Sequence, residues 1–201
     1  MSELPKSFRF ILIFNLAYIL PASAYFAVTQ NYEFLWYLAV LVAIFVLILW
    51  TLPKSRFDGF ILGGLSVWGL LHLAGGGVRI HGEALYDLIL WPLINRGEIQ
   101  IFKYDQALHF YGFALTTYIG YTLLRSQLLP LASWKTVGFI LFGFGMGMGA
   151  LNEVVEFMAV LTASETGVGG YVNTALDLSF NMLGVLFSLF LISITRQRKK
   201  D

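Results

Sequence analysis

Six apolar runs, each close to the roughly 20 residues a helix needs to cross a bilayer, take up almost the whole chain. No other feature narrows the fold as far. Backbone surrounded by hydrocarbon must satisfy its own polar groups, which leaves helices or a closed barrel, and runs of this length select helices. Spans are expected at about residues 9–29, 34–52, 58–77, 105–125, 134–162 and 172–195. The expected fold is therefore all-α: a polytopic membrane helix bundle of six transmembrane helices, one integral membrane domain over residues 1–201. Charged residues make up only 12% of the chain, about half the share in a soluble domain, so no separate soluble domain is expected. The first run follows Lys6 and Arg9 and extends too far for a removable signal, so it reads as the first span.

Basic residues orient the bundle. With six spans and a cytoplasmic N-terminus, Lys6, Arg9, Lys54, Arg56, Arg125, Lys135, Arg196, Arg198, Lys199 and Lys200 all fall on the cytoplasmic side. Only Arg79, Arg96 and Lys103 fall outside, a partition that the positive-inside bias favours and that a different span count would scramble. Both termini are thus expected in the cytoplasm, with the tail from Arg196 to Lys200 touching anionic lipid. Pro21 is expected to kink the first span and Pro53 to help end the second. Residues 78–104 form the one long connection, an outer loop with Leu85, Leu88, Ile89, Leu90 and Trp91 among scattered charges including His81 and Glu98. It reads either as an interfacial segment or as a lid.

Within this apolar setting stand Asp105, Glu153, Glu156 and Asp177, accompanied by His72 and His109 and without a Lys or Arg beside them. A carboxylate at membrane depth costs at least about 2.5 kcal/mol on insertion scales, so such a set must be protonated, hydrogen-bonded inside the bundle, or holding a cation. The assigned orientation brings all six to similar depth on the outer side. Spacing adds a second argument: Asp105 and His109, Asn152 and Glu156, Asn173 and Asp177, and Asp177 and Asn181 are each four apart, so each pair shares a helix face. Imidazole and carboxylate suit a divalent ion such as zinc, manganese or iron. His72, Asp105, His109, Glu153 and Asp177 are the candidate ligands, Glu156 with Glu153 the candidate catalytic carboxylates, and Asn152, Asn173 and Asn181 the residues that would orient them. A structural alternative stands for some: Asp105 as an N-cap, His72 as a helix-end histidine. The glycines of the fifth run pair as Gly143 with Gly147 and Gly145 with Gly149, which together with Gly184 in the sixth suggests close helix approach. Absence of Cys excludes disulfides and thiolate chemistry.

Four short motifs, Leu71-His72-x-x-Gly75-Gly76, Tyr104-Asp105-x-x-x-His109-Phe110, Asn152-Glu153-x-x-Glu156 and Gly170-Tyr171-x-Asn173-Thr174-x-x-Asp177-Leu178-x-x-Asn181-x-x-Gly184, occur in this order. In this they resemble the YjdF-type family of bacterial inner-membrane proteins, and the wider VanZ-like group is similar. Two positions depart from the pattern, Gln106 where a basic residue is usual and Asn173 where Asp is usual. The resemblance implies a multi-pass protein of the bacterial inner membrane with a cell-envelope role and supplies no reaction. Three function classes follow from the residues: a membrane enzyme, with or without a metal, acting on a lipid or lipid-linked envelope substrate; a proton- or cation-coupled permease; and a non-catalytic scaffold or binding protein. The lipid bilayer is the expected partner, an oligomer is open, and nothing points to nucleic acid.

Overall fold

The computed structural model describes residues 6–55, 57–97, 99–128, 132–163 and 166–197. Arg56, Glu98, Arg198, Lys199 and Lys200, used in the readings above, lie outside the described residues, as does the side chain of Lys6. Among the described residues six α-helices form: α1 (Lys6–Val28), α2 (Tyr32–Ser55), α3 (Gly59–Gly77), α4 (Tyr104–Leu124), α5 (Trp134–Thr162) and α6 (Tyr171–Gln197). Five of them, all except α4, are long and apolar enough to cross a membrane. α4 has the length, 21 residues, but dilutes its apolar content with Asp105, Gln106, His109 and several threonines. Pro53 does not end α2, which continues to Ser55.

The all-α expectation and the reading of residues 78–104 as a loop are both corrected in part. Two antiparallel hairpins form there, β1 (Arg79–Ile80) with β2 (Glu83–Ala84), and β3 (Ile89–Arg96) with β4 (Ile99–Lys103), separated by a 3-10 turn at Leu85–Asp87. The first hairpin closes through His81 and Gly82, both with positive φ (53° and 90°), the backbone signature of the tight turns that match strand twist. His81 is thereby a turn residue. The second hairpin draws on β-branched and aromatic residues, Ile89, Trp91, Ile94, Ile99, Ile101 and Phe102. Its register shifts between Ile89 and Ile94, where Pro92 lacks the N–H that a continuous ladder would need.

The chain divides into two compact units, residues 1–88 with 158–167, and residues 89–157 with 168–201. In the first, α1, α2 and α3 pack around Ile19, Phe26, Phe34, Leu38, Leu41, Ile61 and Leu73. The rings of Phe26 and Phe34 lie 5.2 Å apart. Asp58 caps α3 by accepting from the Ile61 N–H at 3.0 Å. Gly75 and Gly76 end that helix against aromatic rings: a Cβ on Gly76 would strike Phe34, and one on Gly75 would strike Tyr86.

In the second unit each helix turns one stripe inward at three- and four-residue spacing. On α4 it is Gln106, His109, Phe113, Thr117 and Gly120; on α5 Val137, Leu141, Gly145 and Gly149; on α6 Asp177, Asn181, Val185, Ser188 and Ile192. Glycines set how closely the stripes approach. A Cβ on Gly184 would strike the main-chain carbonyl of Phe110, so α4 and α6 meet backbone to backbone. One on Gly145 would sit 2.7 Å from Thr117 Oγ1, and one on Gly149 2.9 Å from Asn181 Nδ2. Gly143 and Gly147 meet nothing within 4 Å, so only the second of the two expected glycine pairs is a packing pair.

Candidate functional site

The hairpin β3–β4 runs directly into α4, and Gln106 fixes the junction. Its buried side-chain carbonyl accepts from the Phe102 N–H at 2.6 Å and the Lys103 N–H at 3.1 Å, while its Nε2 donates to the Gln100 carbonyl at 2.8 Å. Phe102 can hold a φ of 80°, costly for a bulky residue, because these bonds over-determine the turn. This clamp sets the first turn of α4, and with it Asp105, among backbone N–H groups whose dipole favours a carboxylate. The sequence marked Gln106 only as a departure from a family pattern, and its three bonds to main-chain groups three to six residues upstream had no motif to announce them.

One turn further along, His109 forms the hub. Its Nδ1 faces Asn181 Oδ1 across the helix interface at 2.9 Å. An amide oxygen only accepts, so this bond puts a ring proton on Nδ1, and in the neutral ring the lone pair is then on Nε2. Nε2 looks toward Asp105 Oδ1 at 3.5 Å and Glu156 Oε1 at 3.7 Å, and Glu153 Oε1 lies 4.0 Å from Nδ1. Phe113 stacks against the ring, its centroid 6.2 Å away, and limits its rotation. Ligand atoms of Asp105, His109 and Asp177 all lie within 4.8 Å of one another, and so do those of His109, Glu153 and Glu156, the two groups sharing the one imidazole.

Asparagines hold the carboxylates from behind. Asn152 Nδ2 donates to Glu156 Oε1 at 2.7 Å, and Asn173 Nδ2 to Asp177 Oδ2 at 2.5 Å, both four residues apart on one helix. Asp177 is completely buried, yet its other oxygen, Oδ1, has no hydrogen-bond partner; the same holds for Glu153 Oε1 and Asn181 Nδ2. Buried polar atoms in a folded protein are nearly always paired, so three orphans in one cluster set it apart from ordinary core packing.

The helices α4, α5 and α6 thus bring together Asp105, His109, Glu153, Glu156 and Asp177, with Asn152, Asn173 and Asn181 beside them. His72 belongs to the first unit. There its Nδ1 meets the Tyr86 hydroxyl at 2.5 Å, and Trp68 stacks on the ring at 5.1 Å.

Apolar helices of bilayer length, and a buried histidine–carboxylate cluster carried by three helices, define a membrane protein with an ionisable core. The chain belongs to the family described as "Predicted membrane protein (DUF2238)", whose model matches residues 9–198. No curated protein matches it, and no solved structure does.

Proposed function

We propose that the chain is a six-span protein of the bacterial inner membrane, both termini cytoplasmic, in which a divalent metal ion held by the His109 cluster serves an enzyme acting on a lipid or lipid-linked envelope substrate. The supporting observation is the spacing around one nitrogen. Ligands of a single zinc-like ion stand about 2.1 Å from it and hence roughly 3.0–3.4 Å from each other. The 3.5 Å from His109 Nε2 to Asp105 is long for a hydrogen bond but close to that co-ligand separation. Asp177, buried and with Oδ1 unpartnered, supplies the third donor, the ligand atoms of the three residues all lying within 4.8 Å of one another.

In this reading Asp105, His109 and Asp177 are the ligands, Glu156 is a further carboxylate beside His109 Nε2, and a bound ion would offer Lewis-acid chemistry. Glu153 is the general base, since its Oε1 is buried without a hydrogen bond while Glu156 is already committed to Asn152. This takes Glu153 out of the expected ligand set, gives it the base role that spacing alone assigned to Glu156, and leaves His72 outside the set. A lipid-type substrate is favoured by depth. Asp105 is the second residue of α4 and Asp177 the seventh of α6, within about 10 Å of the helix starts, the level of lipid headgroups. Likeness to VanZ-like envelope proteins is in keeping with this. The α4–α6 backbone contact and the asparagine bonds favour, as second reading, a scaffold whose polar residues fix helix packing.

Elemental mass spectrometry on detergent-purified protein separates the two. Wild type is expected to carry about one ion per chain, lost in His109→Ala and Asp177→Asn and retained in Glu153→Gln. A chain that stays metal-free after exposure to zinc, manganese and iron, with the same variants lowering its melting temperature, leaves the scaffold standing instead.

A further inference from the structure

A second feature lies in the first unit and stands apart from the metal proposal. A cavity of about 290 Å³ lies between α1, α2 and α3. That is roughly ten times the volume of one water in the liquid, whereas packed interiors leave few voids larger than a water. One end is walled by Phe8 and Leu52, and the other by Tyr18, Leu41 and Gly69. Along α2 the lining runs from Leu41 to Leu52, about 16 Å of helix, close to the roughly 15 Å depth of one hydrocarbon leaflet. Spread over that length, the volume is the bore of one hydrocarbon chain.

The end at Tyr18 lies at mid-membrane depth. Tyr18 is the middle residue of the apolar span Phe8–Val28, and Trp68, which also lines the cavity, is the middle residue of Gly59–Gly77. Three bonded polar side chains, Asn15, Tyr18 and Ser66, line this part of the cavity. The carbonyls of Ile11 and Leu62 can only accept, so Asn15 Nδ2 donates to the first and Ser66 Oγ to the second, each at 2.8 Å. Asn15 Nδ2 gives its other hydrogen to Ser66 Oγ at 2.6 Å, and Tyr18 Oη gives its own to Asn15 Oδ1 at 2.6 Å. Every donor of the trio is thus engaged, while Asn15 Oδ1, Tyr18 Oη and Ser66 Oγ each keep a lone pair. Fastening α1 to α3 explains these bonds. It does not explain a void beside them.

Trp68 brings the only other polar side-chain atom among the lining residues, an indole N–H, and none of those residues is charged. A charged or zwitterionic headgroup at this depth would lack a counter-charge, and desolvation excludes it. An ester or a ketone carries acceptors alone and leaves the trio unmet. A hydroxyl is uncharged and does both, its hydrogen going to the trio and its oxygen open to the indole N–H. We propose that this cavity binds a single-chain lipid alcohol, its hydroxyl at Asn15, Tyr18 and Ser66 and its hydrocarbon chain along α2 toward Leu52.

Trp68 reports directly on the occupant. The full chain, with Trp36, Trp50, Trp91 and Trp134 replaced by Phe, is reconstituted in phosphatidylcholine vesicles holding a small fraction of chain-brominated octadecanol or of its methyl ether. The two probes share one chain and differ in the hydroxyl hydrogen. Bromine quenching of Trp68 by the alcohol is expected to exceed severalfold the level set by its bulk fraction, and quenching by the ether to follow that level. Ser66→Ala frees an Asn15 N–H, so the ether should gain severalfold on the alcohol. Leu65→Phe adds a ring to the cavity wall and should bring the alcohol down to its bulk level while the melting temperature shows the fold retained. Unlabelled hexadecanol and a polyprenol of similar length, added as competitors, tell a straight chain from an isoprenoid one. Alcohol and ether quenching Trp68 alike before any cavity substitution, at the bulk level or above it, would overturn the assignment.

Discussion

At the scale of single residues, Asn181 governs the cluster although it carries no charge. Its amide oxygen takes the Nδ1 proton of His109, and its Nδ2 is left buried without a partner. Such a bond to the far ring nitrogen fixes both tautomer and ring orientation, and its loss from metal sites generally costs 10- to 100-fold in affinity. On the proposed metal reading, Asn181→Ala is therefore expected to weaken metal binding by about that factor. Titration of a metal-stripped protein followed calorimetrically measures this; unchanged affinity would mean that His109 is held by Phe113 alone. That these acids, His109 and this asparagine come together was legible in the sequence because each is costly within an apolar run and four-residue spacing puts them on common faces. Gln106 was not legible, since its partners are main-chain groups of a strand that the hydropathy pattern did not announce.

At the scale of helices, the glycines of α5 and α6 divide into those that are seated and those that are not. Gly184→Ala drives a methyl into the Phe110 carbonyl, and rigid backbone there cannot yield, so a loss of about 1–3 kcal/mol is expected. Gly143→Ala and Gly147→Ala meet open space and should be neutral or stabilising by up to about 1 kcal/mol, the helix-propensity gain. Thermal unfolding of the three variants in one detergent gives the ranking directly, and equal effects would contradict the α4–α6 contact. The existence of six helices followed from run length, and their bounds from the charges and prolines between the runs, save that α2 outlasts Pro53. Spacing alone could not say which glycine pair faces a partner, because both lie on α5 at the same interval and only the neighbouring helices distinguish them. The hairpins escaped the hydropathy reading for a related reason: strands of two to eight residues leave no signal in a window tuned to twenty.

For the whole molecule, the topology is the claim most open to direct test, helped by a chain without cysteine. Single cysteines at Gln30 and Gly97 are expected to react with a membrane-impermeant maleimide from the outer face of intact spheroplasts, whereas cysteines at Lys54 and Ser126 should react only after permeabilisation. Labelling of Lys54 and Gln30 positions from the same side would remove the six-span arrangement, and an outer reaction at Ser126 would remove α4 as a span. The five apolar helices and the family membership hold in either case.

Leu90, Trp91, Leu93, Ile94 and Ile99 leave the hairpin β3–β4 with 42–66% of their surface uncovered, on a two-stranded ribbon too thin to bury them itself. In the proposed topology a ribbon of that composition would act as a float, settling where water gives way to lipid and resisting being pushed either up or down. Because Gln106 rivets it to the first turn of α4, the waterline it finds fixes the depth at which Asp105 and His109 ride. Thickening or thinning the bilayer would then tilt the helices while the cluster kept its level.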